Sequence, residues 1–337
     1  MQGTTITRER FRLDSVDDAL GNRRGRFFGE GFKRVTHGLE AISVRPADTS
    51  APGGVEATAG IRIPGVWSRK GESHQRPHLS TIDAMQFAAQ LTGLYAAHVH
   101  DLPPSGHFVV RSLCVKAGCT PDEEFLDRFP VSAQHESTLE LPGTNRLLTT
   151  MDCRIGSMTV RVEAEHSAAA APVRTEGFYA HPEYLPGGWN DAPYGASHHT
   201  RHQYLLDVAG DADCLSADAE LRITEAPDVP GAHDATAREP LEPTMVDLFV
   251  AALQLGQVLL YRLDGLDRAT SNTLWMRGTT ITPADEEPAP PAHDRRLRVV
   301  LARPNELPTA QGTWRAARIQ ATYGGLRLAC NVAHLLP

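Results

Sequence analysis

Two stretches of the chain are apolar on nearly every side, and each is flanked by segments in which apolar and polar positions alternate. Thr81 to about His98 is rich in Ala, Leu, Met and Gln, and Met245–Leu263 in Leu, Val and Ala. Apolar residues all round the helical period predict helices buried on most sides. Pro103-Pro104 stops the first of them. Ala57–Ile63 alternates small or apolar with polar residues, the period-two pattern of a strand. Gly106–Lys116 and Asn272–Thr282 read as the strands that follow the helices. Thr138–Leu141, Leu147–Arg154 and Met158–Glu163 complete the first set, and Arg298–Ala302, Thr313–Tyr323 and Leu326–Val332 the second.

The two sets are copies of one another. Ser80-Thr-Ile-Asp83 and Thr244-Met-Val-Asp247 have the same form, and each Asp is followed by Gln-Leu at Gln90 and Gln254; both pairs are 164 apart (247 − 83 and 254 − 90). Ala57–Ile63 matches Ala217–Ile223 at an offset of 160, and Phe108–Arg111 resembles Leu274–Arg277 at 166. Three blocks in one order at nearly constant offset indicate an internal repeat. The low-complexity run Ser167–Pro172 separates the copies, giving units 1–165 and 175–337. A second break, Pro283–Pro291, is expected to be an exposed loop, and Phe178–His202 a long loop over the site. Strands, one long buried helix, then more strands is the order of known hotdog folds. The expected class is α+β, a tandem (double) hotdog in which each antiparallel sheet curls around one central helix.

Composition narrows the partners. The net charge is −8 and there is no long basic run, which argues against nucleic acid, whose phosphates need clustered Lys and Arg. Neither apolar stretch offers the ~20 uninterrupted apolar residues of a membrane span. No apolar leader follows Met1, and the five cysteines lack metal-type spacing. A cytoplasmic protein with free core thiols is expected. No P-loop, dinucleotide fingerprint, GxSxG elbow or HExxH is present, so neither cofactor nor metal is expected.

The candidate chemistry lies on the helices. Seven residues is close to two turns, so Asp83 and Gln90 share a face, with Gln86 between them. The second helix carries Asp247 and Gln254, with Val250 in the middle position and Gln257 one turn further on. Each Asp stands three residues after a Ser or Thr, the spacing of a capping box. It equally places a carboxylate at the start of a buried helix, where desolvation favours acid–base work. A buried amide without partners costs about 1–3 kcal/mol, so Gln90 and Gln254 should bond across the repeat interface or to a substrate carbonyl. His78 and His202 sit in His-rich loops, read as polar loop or as proton shuttles at a cleft. Arg111 and Arg277, in apolar strands, need partners. The candidates are an ion pair, with Asp83 or Asp247, or an anion anchor.

Phe27–His37, Thr81–Gln86 and Val246-Asp247 through Thr273–Arg277 resemble the AvrD (avirulence protein D) family, over about residue 14 to the C-terminus. The resemblance implies an enzyme of secondary metabolism making syringolide-type signals, acyl-sugar lactones of the butenolide kind. The implied reaction is transfer or condensation of a 3-ketoacyl chain, from an acyl-carrier-protein or coenzyme A thioester, onto a sugar-like acceptor. Asp83, Asp247, His78 and His202 are then the catalytic candidates. Gln86, Gln90, Gln254, Gln257, Arg111, Arg277 and Trp275 are the substrate-binding ones. A homodimer is compatible with this reading. The alternatives are a hotdog dehydratase or thioesterase, and a non-catalytic ligand-binding protein. Dehydration gains if His37, His78 or His202 lies within hydrogen-bond reach of Asp83 or Asp247. The unequal stripes, Gln86 against Val250 and Gly93 against Gln257, imply one working site or two unequal ones.

Overall fold

The computed structural model describes residues 10–337, apart from 50, 71–72, 168–174, 186–196, 212, 214, 226–240 and 285–295. The linker run, most of the Pro283–Pro291 loop and the middle of Phe178–His202 lie outside the described residues.

The alternating segments build one antiparallel sheet of 14 strands. In chain order they are β1 (Arg10–Ser15), β2 (Thr36–Arg45), β3 (Gly54–Arg62), β4 (Phe108–Lys116), β5 (Phe129–Glu140), β6 (Arg146–Ile155), β7 (Met158–Ser167), β8 (Gly177–Tyr179), β9 (His202–Asp211), β10 (Ser216–Thr224), β11 (Trp275–Pro283), β12 (Arg296–Thr309), β13 (Gly312–Tyr323) and β14 (Leu326–Leu335). The two long helices are α1 (Thr81–Val99) and α2 (Met245–Asp264). Side by side the strands run β1-β9-β10-β12-β13-β14-β11-β4-β7-β6-β5-β3-β2-β8. Both units therefore order their strands first, second, fourth, fifth, sixth, third, with the helix between the second and third. Each sheet curls around its helix, the hotdog arrangement.

The units meet where β4 pairs with β11, with Leu113 opposite Ile281 and Cys114 opposite Thr280. At the 166-residue offset, Thr280 is the counterpart of Cys114 (280 − 114). Two copies related by a two-fold rotation must bring one position against its own counterpart on the axis, and this is that position. The outer edges obey the same relation. β1 leads into the first unit yet pairs with β9 of the second, Arg12 against Ala209; β8 leads into the second unit yet pairs with β2, Phe178 against Ser43. Both members of that contact shift by the same 166 (178 − 12 and 209 − 43). The repeat thus begins upstream of the blocks visible in the sequence, and the two leading arms are exchanged. Each arm covers an edge that would otherwise present unpaired backbone groups.

Each first strand also carries a bulge at one repeat position. Ala41 (φ 51°) and Asp207 (φ 44°) are left-handed residues outside the ladder. Such bulges bend a strand and increase its twist, which helps the sheet wrap its helix. The helices supply the core. Every residue of α1 is buried, and α2 is buried from Met245 to Tyr261. α2 has the length and apolarity of a membrane span, but 89% of that window is buried inside the protein. Gly256 lets α2 lie against β13, since a Cβ there would come within 2.5 Å of Ile319 Cδ1.

Exchange of the arms has a measurable consequence. Deleting residues 1–21 removes β1 and exposes the edge of β9. We expect the melting temperature to fall by about 4 °C or more, with self-association on size-exclusion chromatography. An unchanged, monodisperse and equally stable deletion variant would show the arm to be dispensable.

Candidate active site

Capping chemistry positions the first carboxylate. Ser80 precedes α1 with extended backbone, and its Oγ accepts the N–H of Asp83 at 3.2 Å. Asp83 Oδ2 reaches back to accept from Ser80 N and Ser80 Oγ, each at 2.7 Å. The other oxygen, Oδ1, lies 2.7 Å from Nε2 of His37, the second residue of β2. Both side chains are 3% exposed. A carboxylate acceptor at that distance requires the proton on Nε2, which leaves Nδ1 as the basic nitrogen. No described residue hydrogen-bonds Nδ1. Phe87 lies edge-on to the imidazole at 5.1 Å, and His198, from the arm of the second unit, at 5.6 Å. One turn along α1, Gln86 is 1% exposed, and neither atom of its amide has a partner among the described residues.

The equivalent end of α2 is built differently. Thr244 and Asp247 form the same capping box. Gln203, however, stands where His37 does in the first unit (203 − 37 = 166), and donates to Asp247 Oδ1 at 2.7 Å. Arg201 adds two bonds to Oδ2, at 2.9 and 2.6 Å. Asp247 is thus held by a cation and a neutral amide, with no imidazole on it. Both capping readings are met, and the two carboxylates differ in what else they bind.

The other candidates fall into place around these ends. Gln254 Oε1 accepts from Arg26 Nη1 at 2.8 Å, a bond between the first unit's arm and the second unit's helix, as the interface reading requires. Gln90 and Gln257 are buried further along their helices. His78 accepts no bond from Asp83 and donates none to it; its Nδ1 lies 3.2 Å from Arg76 O, and its ring packs against Trp67 and Trp275. Burial lowers its pKa. Trp275 and Arg277 line a small cavity of about 60 Å³ with His78, Ser80 and Thr81, at the start of α1. Arg277 donates to Gly118 O. His202 does not reach Asp247. Its Nδ1 is 3.1 Å from the buried Lys33 Nζ, which also pairs with Glu30 at 3.1 Å. Burial brings Lys33 to about 8 despite Glu30.

One expectation is corrected. Arg111 does form an ion pair, but with Glu165, at 2.8 and 2.6 Å, and not with Asp83 or Asp247. It is 44% exposed and points away from the helix side of its strand, whereas both aspartates lie inside. The candidates taken from the helices omit Arg201 and Gln203 and leave His37 as a conditional partner. The helix offset of 164 carried no signal for them; they align only at the offset of 166 set by the first strands.

Among the described residues no group of three His, Cys, Asp or Glu could hold a metal ion. The chain matches the family described as Pseudomonas avirulence D protein (AvrD) over residues 11–337. No curated protein sequence matches it. Solved structures similar to it include the tesB protein of Mycobacterium avium subs paratuberculosis, with 11% identity, 84% of this chain and 93% of that one covered, and a TM-score of 0.37. Another is a trans-AT PKS dehydratase domain from Brevibacillus brevis (13%; 87% and 97%; 0.34). A third is the 12:0-ACP thioesterase from Umbellularia californica (14%; 83% and 97%; 0.32).

Glu165 provides a test by pH. Burial alone would raise its pKa, but Arg146 and Arg111 hold it down, from 4.5 to about 2. A carboxylate depressed in the folded state stabilises the fold above its unfolded pKa, and that contribution is lost as pH falls through the folded value. Urea midpoints measured between pH 5 and pH 2 should therefore fall steeply for the native chain. Glu165→Gln should start lower and fall less across the same window. Parallel curves would show that the cluster contributes no linked stability.

Proposed function

The chain belongs to the AvrD family, and from that premise we propose that it is an acyl-thioester enzyme with one working site, at the start of α1. The hotdog arrangement of sheet around buried helix supports this reading, and we take the two units together as a tandem hotdog whose apolar interior suits an acyl chain. The observation that carries the reading is the His37–Asp83 pair, with the partnerless Gln86 amide one turn away. Asp83 has both oxygens engaged, so its role is to hold His37 in one tautomer and to stabilise the imidazolium that forms. His37 Nδ1 is the general base.

The reaction we assign is transfer of a 3-ketoacyl chain from a carrier-protein or coenzyme A thioester to a hydroxyl of a sugar-like acceptor. His37 takes the hydroxyl proton as the oxygen attacks the thioester carbon. The C–S bond breaks, and the thiolate leaves with the proton returned from His37. The products are an acyl ester and a free thiol, and condensation within that ester would close a butenolide-type lactone with loss of water. Gln86 Nε2 and the unpaired amides of the helix start are suited to stabilise the oxyanion. In the second unit Val250 replaces Gln86 and Gln203 replaces His37, so Asp247 is assigned a structural role. A cytoplasmic setting suits these substrates.

A second reading, dehydration of a 3-hydroxyacyl thioester, draws on the same His–Asp pair. His37 lies within hydrogen-bond reach of Asp83, which is the condition that favours dehydration, so this reading gains from the structure. Acyl transfer is placed first because dehydration also needs the two groups to face one another across the substrate, and here they bond to each other.

The test is to incubate the protein with a 3-ketoacyl thioester and pentulose acceptors and to follow thiol release and adducts by mass spectrometry. His37→Asn and Asp83→Asn should each lower adduct formation by about 10²–10⁴-fold with folding intact. Asp247→Asn should instead destabilise the fold by about 3 kcal/mol, because it removes the charge that the partly buried Arg201 pairs with and leaves it the Glu242 carbonyl. Equal losses of activity in the two aspartate variants, both folded, would overturn the single site. Thiol release without adduct would make the protein a thioesterase, and enoyl product from a 3-hydroxyacyl thioester a dehydratase.

A further inference from the structure

Beyond the active site, the end of α2 gathers three cations, Arg26, Lys70 and Arg268, of which only Arg26 has an ion-pair partner, Asp17, among the described residues. Arg26, from the first unit's arm, is 3% exposed. Its Nη1 donates to Gln254 and its Nη2 pairs with Asp17, while its buried Nε–H has no acceptor among the described residues. Two turns along α2 from Gln254 stands Tyr261, 5% exposed. Its hydroxyl is buried beside Ser271 with no hydrogen bond of good geometry. Arg268 is half-buried, and its guanidinium makes no hydrogen bond or ion pair among the described residues. Lys70 closes the group, donating to Ser271 O and Oγ at 3.3 and 3.2 Å and to Asn272 O, all neutral acceptors.

These groups feel one another. Burial leads in lowering Arg26 to about 10 and Lys70 to about 8, and Arg268 adds to both depressions. Arg268 is itself lowered by burial. The acids nearby are committed elsewhere: Asp17 to Arg26, Asp264 to His334 and Arg315, and the exposed Asp267 to the turn at Thr270. The bland role, cations at a helix C-terminus, accounts for Lys70, whose donors are saturated by carbonyls and a hydroxyl. It does not account for a buried guanidinium N–H, a buried phenol and an unpaired Arg all lacking acceptors. Unsatisfied buried donors cost about 1–3 kcal/mol each unless something accepts from them. A cleft of about 380 Å³ opens beside Tyr261, lined also by Ala19, Val258, Arg262, Leu266 and Asp267; of the groups named here only Tyr261 lines it.

We propose that Arg26, Tyr261 and Arg268, with the charge of Lys70 behind them, form a binding site for a phosphate monoester. Arg268 offers a planar fork to two phosphate oxygens, Arg26 Nε–H and the Tyr261 hydroxyl reach others, and Lys70 contributes charge rather than a bond. The route to α1 is short in the fold: Trp67, three residues before Lys70, packs on His78, which stands just before Ser80. A phosphate held at the end of α2 would anchor one end of a molecule whose other end lies toward Asp83. A phosphate monoester of this kind comes with a phosphorylated sugar or with the 3′-phosphate of coenzyme A. The site itself stands on donors that the His37–Asp83 reading does not use.

The experiment titrates the full chain with inorganic phosphate and follows melting temperature and calorimetric binding, with KCl at matched ionic strength as control. Saturable stabilisation by phosphate and none by KCl is expected. Tyr261→Phe should not lower the unliganded melting temperature, because it removes a buried hydroxyl with no hydrogen bond of good geometry, and should still weaken phosphate binding. Arg268→Met should raise the dissociation constant by roughly tenfold or more, as loss of a charge-assisted fork implies. Competition by a pentulose phosphate assigns the anion to the acceptor, and competition by coenzyme A, but not by its form lacking the 3′-phosphate, assigns it to the thioester. Equal stabilisation of the native chain and both variants, or an equal effect of KCl, overturns the site. A phosphate effect that neither ester displaces overturns its assignment to a substrate. Because none of these readings measures turnover, inactive His37 variants should bind phosphate as the native chain does.

Discussion

Antiparallel pairing of β4 with β11 is the contact on which the rest of the molecule depends. It sets Cys114 against its own counterpart, Thr280, and so places the two-fold relation between the units. From that relation follow the single 14-stranded sheet and the crossing of β1 and β8 to opposite edges. The segments behind those arms are carried over the helix starts. His198 reaches His37 in one unit, and Lys33 and Arg26 approach Asp247 and Gln254 in the other. Phe32 and His198, equivalent positions of the two arms (198 − 32 = 166), stack on each other at 6.4 Å. The hydrogen-bond partners of each carboxylate come from its own unit, and the arm of the other unit packs around them.

Within this symmetric frame the two ends have diverged through few substitutions. The capping boxes are the same, since both helices need their first amides satisfied. What differs is the group on the remaining carboxylate oxygen. Asp83 binds an imidazole, which has a second ring nitrogen able to accept a proton; Asp247 binds an amide N–H and a guanidinium, which act only as donors to it. Gln86 and Val250 follow the same division: an unsatisfied amide is retained beside the imidazole and replaced by a methyl-bearing side chain beside the guanidinium. Leaving a buried amide unsatisfied is costly; at Gln86 both amide atoms lack a partner among the described residues, and at Gln203 only the oxygen does.

The amino-acid sequence by itself determined the two buried helices, most of the strands after them and the matching Asp and Gln. Each of these is encoded within a few residues: helical and strand periods, Ser or Thr three residues before Asp, and a seven-residue step from Asp to Gln. β2 and β9 were not legible, because bulges at Ala41 and Asp207 break their alternation, and the exchanged arms are too short to carry a period. Those were the segments that bear His37, Arg201 and Gln203. Only the tertiary structure decided which groups meet: that Asp83 takes His37 while Asp247 takes Arg201, that Arg111 answers Glu165, and that Arg26 and Arg268 face one buried corner. Such partners lie tens to hundreds of residues apart, and strand register with two-fold packing, rather than any local pattern, sets the distances between them.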